Sequence, residues 1–201
     1  MTTAHGMNSH NRPLILASRS PRRRQLLEEA GYRFTVEAPS DSAEDGHYGS
    51  ETPSQLVARL AYQKAADVAQ RLTEGLVLGC DTIAECEGRI LGKPDDELEA
   101  REMLEALSSR RHRVFSGLCL WKRPGEEPLV RVDVTTLRMD PLSKDQLDEY
   151  LQSGGWEGKA GAFGYQDRLG WVHVVEGSES NVVGLPMELL TRMMVEIDNS
   201  D

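Results

Sequence analysis

The 201-residue sequence has no apolar run that approaches the roughly 20 residues a membrane-spanning helix requires. Positive charge is also in short supply, because 33 acidic residues against 23 lysines and arginines give a net charge of −10. This balance argues against a broad nucleic-acid surface, which needs a basic footprint, and against a polybasic membrane patch. We therefore expect neither a nucleic acid polymer nor a membrane as a partner.

Cysteine is scarce, with Cys80, Cys86 and Cys119 as the whole set. Their odd number and scattered spacing suit neither a disulfide framework nor a metal cluster, and a reducing cytoplasm is the expected location. The five histidines are equally scattered, so the sequence predicts no zinc site. Residues 1–11 are polar and lack the apolar segment of a signal peptide, and we expect them and residues 198–201 to be flexible tails.

Apolar residues make up 39% of the chain, which is ordinary for a globular protein with a real core. Short apolar runs alternate with helix signals, and this predicts an α/β fold with a mixed sheet and flanking helices, in a single domain over 1–201. Strands are predicted at residues 13–17, 34–38, 76–80, 114–121, 129–139 and 172–176, with a hairpin over 83–91. Helices are predicted at residues 21–30, 53–71, 96–107, 143–152 and 186–197.

The segment LILASRSPRRRQLL carries the clearest chemical signal, because an apolar run stops at Ser18 and a Ser-Pro step then opens a helix. Arg22, Arg23 and Arg24 fall in its first turn, where the helix dipole disfavours cations and favours anions. A docked phosphate would resolve this conflict. The alternative is a solvated basic turn in which Arg24 pairs with Glu28. Ser18 is then either another donor to the anion or an ordinary turn residue.

Two charged residues interrupt apolar patterns. Lys64 lies on the apolar stripe of the predicted helix 53–71, so it either extends outward to water or pairs inside with a phosphate or carboxylate. Asp81 follows the predicted strand 76–80, at the strand end where α/β enzymes place working groups. It is a candidate for activating water or binding a divalent cation, and the alternative is a turn former or helix cap.

Weaker candidates lie further along the chain. Lys93 precedes a proline and is held extended, while Lys159 lies between glycines that allow close backbone approach. Gln166 belongs to the glycine-rich stretch 154–170, predicted to be a functional loop, and its amide could read a base edge. Together these cations, carboxylates and the amide suit a nucleotide, and carboxylate oxygens favour a magnesium-like cation.

Three remaining residues that sometimes serve a ligand have a simpler interpretation here. Trp156 and Trp171 flank the glycine-rich stretch and could stack on a base, but core packing is the default expectation for tryptophan. His112 flanks a predicted strand and is expected to be structural.

Six segments, taken together, resemble the Maf-like nucleoside triphosphate pyrophosphatases: LASRSPRRRQLL, RLAYQKA, LGCDTIAECEGRILGKP, AREMLEALSSRRHRV, GKAGAFGYQ and EGSESNVVGLPMELL. They occur in the order of the family and span the chain from Leu14 to about Leu190. The chain departs from the family pattern at Gly155, Trp156 and Gly158. The resemblance implies a fold like that of the inosine triphosphate pyrophosphatases, with two lobes around a central cleft.

The resemblance also implies roles for individual residues. Phosphate binding would fall to Ser18, Arg22, Arg23, Lys64, Lys93 and Lys159. Asp81 would be the catalytic base or a metal-binding acid, and Glu44 is the best match to a second metal-side carboxylate. Arg22, Thr82 and Gln166 match positions linked to substrate choice, and they look like the dTTP/UTP branch rather than the 7-methyl-GTP branch.

The implied activity is hydrolysis of a nucleoside triphosphate at the bond between the α- and β-phosphates, giving a monophosphate and pyrophosphate with the help of Mg²⁺ or Mn²⁺. Non-standard nucleotides are further possible substrates, and a homodimer is expected from the resemblance alone. The main alternative is a nucleotide-binding regulator of septum formation and cell division with little turnover. A weaker alternative is a sugar-nucleotide-binding enzyme with a similar cationic pocket.

Overall fold

The computed structural model describes residues 12–44, 50–125, 127–167 and 169–199. Seven strands form within these ranges: β1 (Leu14–Ala17), β2 (Phe34–Val36), β3 (Gly75–Cys86), β4 (Arg89–Leu91), β5 (Arg111–Arg123), β6 (Leu129–Met139) and β7 (Val172–Glu176). The described part of the chain also forms six helices: α1 (Pro21–Glu29), α2 (Pro53–Ala69), α3 (Glu97–Leu107), α4 (Lys144–Gln152), α5 (Glu179–Val183) and α6 (Met187–Asp198). Short 3₁₀ turns lie at Asp41–Glu44, Ala160–Ala162 and Tyr165–Asp167.

The strands are ordered β2-β1-β3-β5-β6-β7, and β4 pairs with β3. β1 runs parallel to both β2 and β3, whereas the β3–β4 and β6–β7 pairs are antiparallel. The sheet is therefore mixed, and the prediction of an α/β fold with flanking helices is confirmed. The predicted tail over residues 1–11 lies outside the described residues, as do residues 200 and 201 of the second tail.

The chain divides into two compact units. The first is made of the described parts of Met1–Asp81, Ser116–Asp133 and Gly184–Asp201, and the second of Thr82–Phe115 and Val134–Val183. In the first unit, alternate residues of β1 pack into different apolar clusters. Leu14 and Leu16 pack with residues of α1 and α6, whereas Ile15 and Ala17 pack with residues of α2. The second unit has its own core, which includes residues of α3, α4 and β4.

Two glycines of the first unit let α2 lie directly on the strands. A Cβ atom on Gly79 of β3 would lie 2.2 Å from the carbonyl oxygen of Ala61. A Cβ atom on Gly117 of β5 would lie 2.1 Å from the carbonyl oxygen of Val57. Because the two glycines lack side chains, the backbone of α2 lies in close contact with β3 and β5.

The strand predicted over residues 76–80 is too short, because β3 continues through Asp81 to Cys86. The half-buried Asp81 and Thr82 interrupt the apolar pattern, but not the extended backbone. The same strand forms the first arm of the predicted hairpin, in which Cys86 pairs with Arg89 across a turn at Glu87 and Gly88. Both turn residues have positive φ, 51° and 85°, as a tight hairpin turn requires.

Candidate active site

The segment after β1 forms the predicted turn and helix. Ser20 is the N-cap of α1, and Pro21 occupies the first turn. Ser18 is buried at 4% exposure, and its hydroxyl accepts hydrogen bonds from the Ser20 amide at 3.1 Å and from Arg23 Nη1 at 3.1 Å. The first turn of α1 contains no acidic residue. The N-terminus of α1 therefore keeps the electrostatic preference for an anion that its sequence predicts.

The three arginines of this turn differ in their environments. Arg23 is 8% exposed and donates from Nε to the carbonyl of Gly184 at 2.8 Å, in addition to its bond with Ser18. Arg22 is half-buried, and Arg24 is exposed. A solvated basic turn therefore describes Arg24 but not Arg23, whose guanidinium is built into the first unit.

Lys64 does not extend to water. Its Nζ lies 2.6 Å from Asp81 Oδ1, and the two side chains are only 8% and 14% exposed. The capping box of Thr52 and Gln55 begins α2, and the close approach at Gly79 places the helix over β3. Removing two charges from water is costly, and a tight ion pair offsets that cost. The first unit thus contains a buried, mutually neutralising acid and base.

Asp81 occupies the end of the parallel part of the sheet. Ala17, the last residue of β1, is paired with Gly79, so Ser18 and Asp81 follow the same end of this ladder. Groups at the carboxyl ends of parallel strands commonly form the active sites of α/β enzymes. The prediction that Asp81 lies just past the end of its own strand is wrong, because β3 continues beyond it, but Asp81 does follow the parallel β1–β3 ladder.

A second ion pair of α2 did not figure in the sequence analysis. Arg59 donates to both carboxylate oxygens of Glu51, from Nε at 2.8 Å and from Nη2 at 2.6 Å, and to Gln63 Oε1 at 3.1 Å. These bonds to Glu51 raise the pKa of Arg59, and the negative charge of Asp81 adds to the rise. The same hydrogen bonds lower the pKa of the Glu51 carboxyl group. Arg59 lies within the segment RLAYQKA, but its pairing depends on Glu51, eight residues earlier.

The second unit holds the other candidates. Lys159 is the N-cap of the turn Ala160–Ala162, and its side chain is 12% exposed in an ion pair with Asp167. Gln166 is exposed on the turn Tyr165–Asp167. Lys93 is exposed before a buried proline, and Thr82 is half-buried in β3. The predicted functional loop over residues 154–170 thus contains two ordered 3₁₀ turns.

No group of three or more His, Cys, Asp or Glu side chains capable of holding a metal occurs among the described residues. Glu44 ends the turn Asp41–Glu44, and its side chain lies outside the described part of the chain. Asp81 does offer a carboxylate. That donor suits Mg²⁺, which usually takes one or two protein carboxylates and completes its shell with water and phosphate oxygens.

The aromatic candidates are core residues, as expected by default. Trp171 is 8% exposed and lies edge-on to Tyr150, with ring centroids 5.5 Å apart. Trp156 donates from its indole nitrogen to the carbonyl of Leu151 at 3.0 Å and packs against the core of the second unit. His112 is buried in β5, in agreement with a structural role.

The chain is similar to known proteins in sequence and in fold. The model of the Maf-like protein family matches residues 13–197. The chain is 55% identical over 188 residues to a dTTP/UTP pyrophosphatase of Rhodopirellula baltica, covering 93% of this chain and 83% of that protein. It is 41% identical over 184 residues to a protein of the same name from Symbiobacterium thermophilum, covering 91% of this chain and 93% of that protein.

Among solved structures, the Ham1 protein of Staphylococcus aureus has a similar fold, with a TM-score of 0.50. The match covers 94% of this chain and 100% of that one, at 12% sequence identity, and therefore speaks for the fold alone. In the described part of the chain, no helix is both long enough and apolar enough to cross a membrane.

Proposed function

The chain belongs to the Maf-like family, and on that premise we propose that it is a nucleoside triphosphate pyrophosphatase with a preference for dTTP and UTP. The names of its relatives support both the activity and the preference. The structural observation that carries the proposal is the buried Lys64–Asp81 pair at the carboxyl end of the parallel strands. Asp81 comes after the part of β3 that is paired with β1, just as Ser18 and the arginine-bearing turn come after the paired end of β1.

In the proposed reaction, Asp81 accepts a proton from a water molecule. The water oxygen forms a bond to the α-phosphorus, and the bond from that phosphorus to the bridging oxygen breaks. The electron pair leaves with pyrophosphate, and the nucleoside monophosphate remains. Because the transferred phosphoryl group carries dispersed negative charge, most of the rate enhancement comes from positioned cations and hydrogen-bond donors.

Phosphate binding in the first unit is proposed for Ser18, Arg22, Arg23 and Lys64. Arg23 already donates to the Gly184 carbonyl and to the Ser18 hydroxyl, so it also fixes the position of that hydroxyl. Lys64 brings an ammonium group that is 2.6 Å from the proposed base. Such preorganised charge requires little rearrangement when a polyanion binds.

A divalent cation, Mg²⁺ or Mn²⁺, remains part of the proposal, with Asp81 and Glu44 as the residues that would hold it. When bound, the cation would neutralise phosphate charge. Titration of the metal-free protein with Mn²⁺, followed by electron paramagnetic resonance, tests this directly. We expect weaker Mn²⁺ binding for Asp81→Asn and for Glu44→Gln than for the unsubstituted protein.

In the second unit, Lys93 and Lys159 are proposed to bind phosphate, and Thr82 and Gln166 to help select the base, as does Arg22. Substitution of each to alanine tests these roles separately. Loss of a phosphate-binding side chain should change KM for every nucleotide alike, whereas loss of a base-selecting side chain should change the ratio of kcat/KM values for different nucleotides. We further propose that the protein acts in the cytoplasm, where nucleotides are made. We also propose that it is a homodimer, and sedimentation analysis would test this.

The central experiment is product analysis. A panel of nucleoside triphosphates is incubated with Mg²⁺ or Mn²⁺, and the products are separated by chromatography. We expect monophosphate and pyrophosphate, fastest with dTTP and UTP. Diphosphate and orthophosphate would contradict the assigned bond, and tight binding without products would favour a regulator.

A matched pair of variants then locates the chemistry. Asp81→Asn should abolish turnover, whereas Asp67→Asn, which removes an ion-paired carboxylate of α2, should retain it. Full activity in Asp81→Asn would remove Asp81 from the mechanism. Circular dichroism spectra of both variants establish that they are folded.

A further inference from the structure

The turn that carries Gln166 is held by side chains on both sides of that residue. Its neighbours Tyr165 and Asp167 each bond to a residue outside the turn, while Gln166 itself is exposed. All of these residues belong to the second unit. An exposed amide between two anchored neighbours has a fixed backbone and an accessible side chain, which is the arrangement expected of a ligand-reading group.

The first anchor is the ion pair between Asp167 and Lys159. The Lys159 side chain is 12% exposed and that of Asp167 is 27% exposed, and the Tyr150 hydroxyl lies 3.5 Å from the same Asp167 oxygen. The Asp167 amide also donates to the carbonyl of Gly164 at 3.2 Å, which closes the turn.

Gly164 makes room for this pair. A Cβ atom at position 164 would lie 2.4 Å from Lys159 Nζ and 2.4 Å from Asp167 Oδ2. Both atoms are the ends of flexible side chains, so an alanine would displace the charged groups rather than the backbone. Gly164→Ala is therefore a way to disturb the ion pair without removing either charge.

The second anchor is the hydrogen bond from the Tyr165 hydroxyl to Glu179 Oε1, at 2.9 Å. Glu179 is the first residue of α5, and this short helix contacts the turn. Burial and the bond to Glu179 raise the pKa of Tyr165, so the hydroxyl remains a donor at neutral pH. The two anchors are chemically independent, because one is an ion pair and the other a hydrogen bond from a phenol.

We propose that Asp167 and Tyr165 are positioning residues that hold the backbone of Gln166 in one place and thereby set the base preference. This inference rests on the proposed function, in which Gln166 reads the base. A glutamine amide presents a donor and an acceptor of nearly equal shape. Uracil and thymine present an N–H donor at N3, where cytosine presents an acceptor. An amide carried on a mobile backbone could approach either base, whereas one carried on a fixed backbone meets the bound base at one place and discriminates between them.

The test compares kcat/KM for dTTP with kcat/KM for dCTP. Asp167→Asn, Tyr165→Phe and Gly164→Ala should each lower this ratio by about fivefold, the size expected for one weakened hydrogen bond. Gln166→Ala should lower it at least as far. Any uniform effect through Lys159 on phosphate binding cancels in the ratio. Asp148→Asn, which removes a carboxylate paired with Arg101 in the same unit, is the control and should leave the ratio unchanged.

Two outcomes are kept apart by a second measurement, the hydrogen exchange of the Asp167 amide. If Gln166→Ala lowers the ratio and the three anchor variants do not, the positioning role is wrong. If Gln166→Ala has no effect, the base-reading role of Gln166 in the proposed function fails instead. In that case the exchange rate of the Asp167 amide tests whether Tyr165 and Asp167 order the turn. Faster exchange in Tyr165→Phe and Asp167→Asn would show that they do, and unchanged exchange would overturn the positioning role.

Discussion

Acidification should destabilise the protein through His112, a residue that takes no part in the proposed chemistry. The imidazole is 2% exposed in the core of the second unit and lies edge-on to Phe163, with ring centroids 5.3 Å apart. Among the described residues, no group lies within hydrogen-bonding geometry of either ring nitrogen. Burial lowers the pKa of His112 to about 4, and the weaker effects of the Arg110 backbone and the Glu85 carboxylate oppose that shift.

The sign follows from which state binds the proton. In the unfolded chain the imidazole binds a proton near its ordinary pKa of about 6.5, whereas in the folded protein it does so only near 4. Between these values the unfolded state holds more protons, so the free energy of unfolding falls as the pH falls. The stabilisation is complete above about pH 6.5, and the linkage relation removes about 2 kcal/mol by pH 5 and about 3 kcal/mol by pH 4.

Urea denaturation at about pH 8 and about pH 5 measures this effect, with His112→Phe and His112→Leu as the perturbations. Both substitutions remove the titrating group, and only the phenylalanine keeps an aromatic ring against Phe163. Relative to either variant, the unsubstituted protein should lose about 2 kcal/mol between the two conditions, because all other groups titrate alike. An equal loss in all three proteins would refute the assignment to His112.

Three further predictions concern the first unit. Asp81→Asn should lower the free energy of unfolding by about 3 kcal/mol because Lys64 stays buried without its carboxylate, and adding Lys64→Met should restore stability but not activity; urea denaturation of both variants checks this. Arg23→Lys should raise KM for all nucleotides, since lysine cannot bond both the Gly184 carbonyl and Ser18, while the exposed Arg24→Lys should change little in steady-state kinetics. Gly79→Ala should lower the melting temperature by several degrees because its Cβ would meet the backbone of α2, and an unchanged melting temperature would show that the helix gives way freely.

Local signals predicted most of the secondary structure. Ser20 before Pro21 and Thr52 before Pro53 marked the starts of α1 and α2, because capping and the fixed φ of proline act within a few residues. The hairpin turn at Glu87 and Gly88 was also predicted, because the conformation of a tight turn depends on the residues within it. The five-residue α5 was not predicted, because it is too short to develop a helical periodicity.

Longer-range features could not be predicted in this way. The polar pair Asp81-Thr82 ended the apolar pattern, yet β3 continues because pairing with neighbouring strands holds its backbone extended. The pairing of Lys159 with Asp167 and of Glu51 with Arg59 depends on turns and helix placement that no local pattern specifies.

The amino-acid sequence by itself determined the alternation of strands and helices, the anion-favouring turn after β1 and the presence of one lysine within an apolar stripe. It left open whether Lys64 faces water or the interior, because both positions satisfy the same helical spacing. Only the tertiary structure decided this. The glycines at 79 and 117 bring α2 onto the sheet, and Lys64 Nζ comes within 2.6 Å of Asp81, seventeen residues further along the chain. Each charge offsets most of the cost of burying the other, so the pair forms only when folding brings α2 and β3 together.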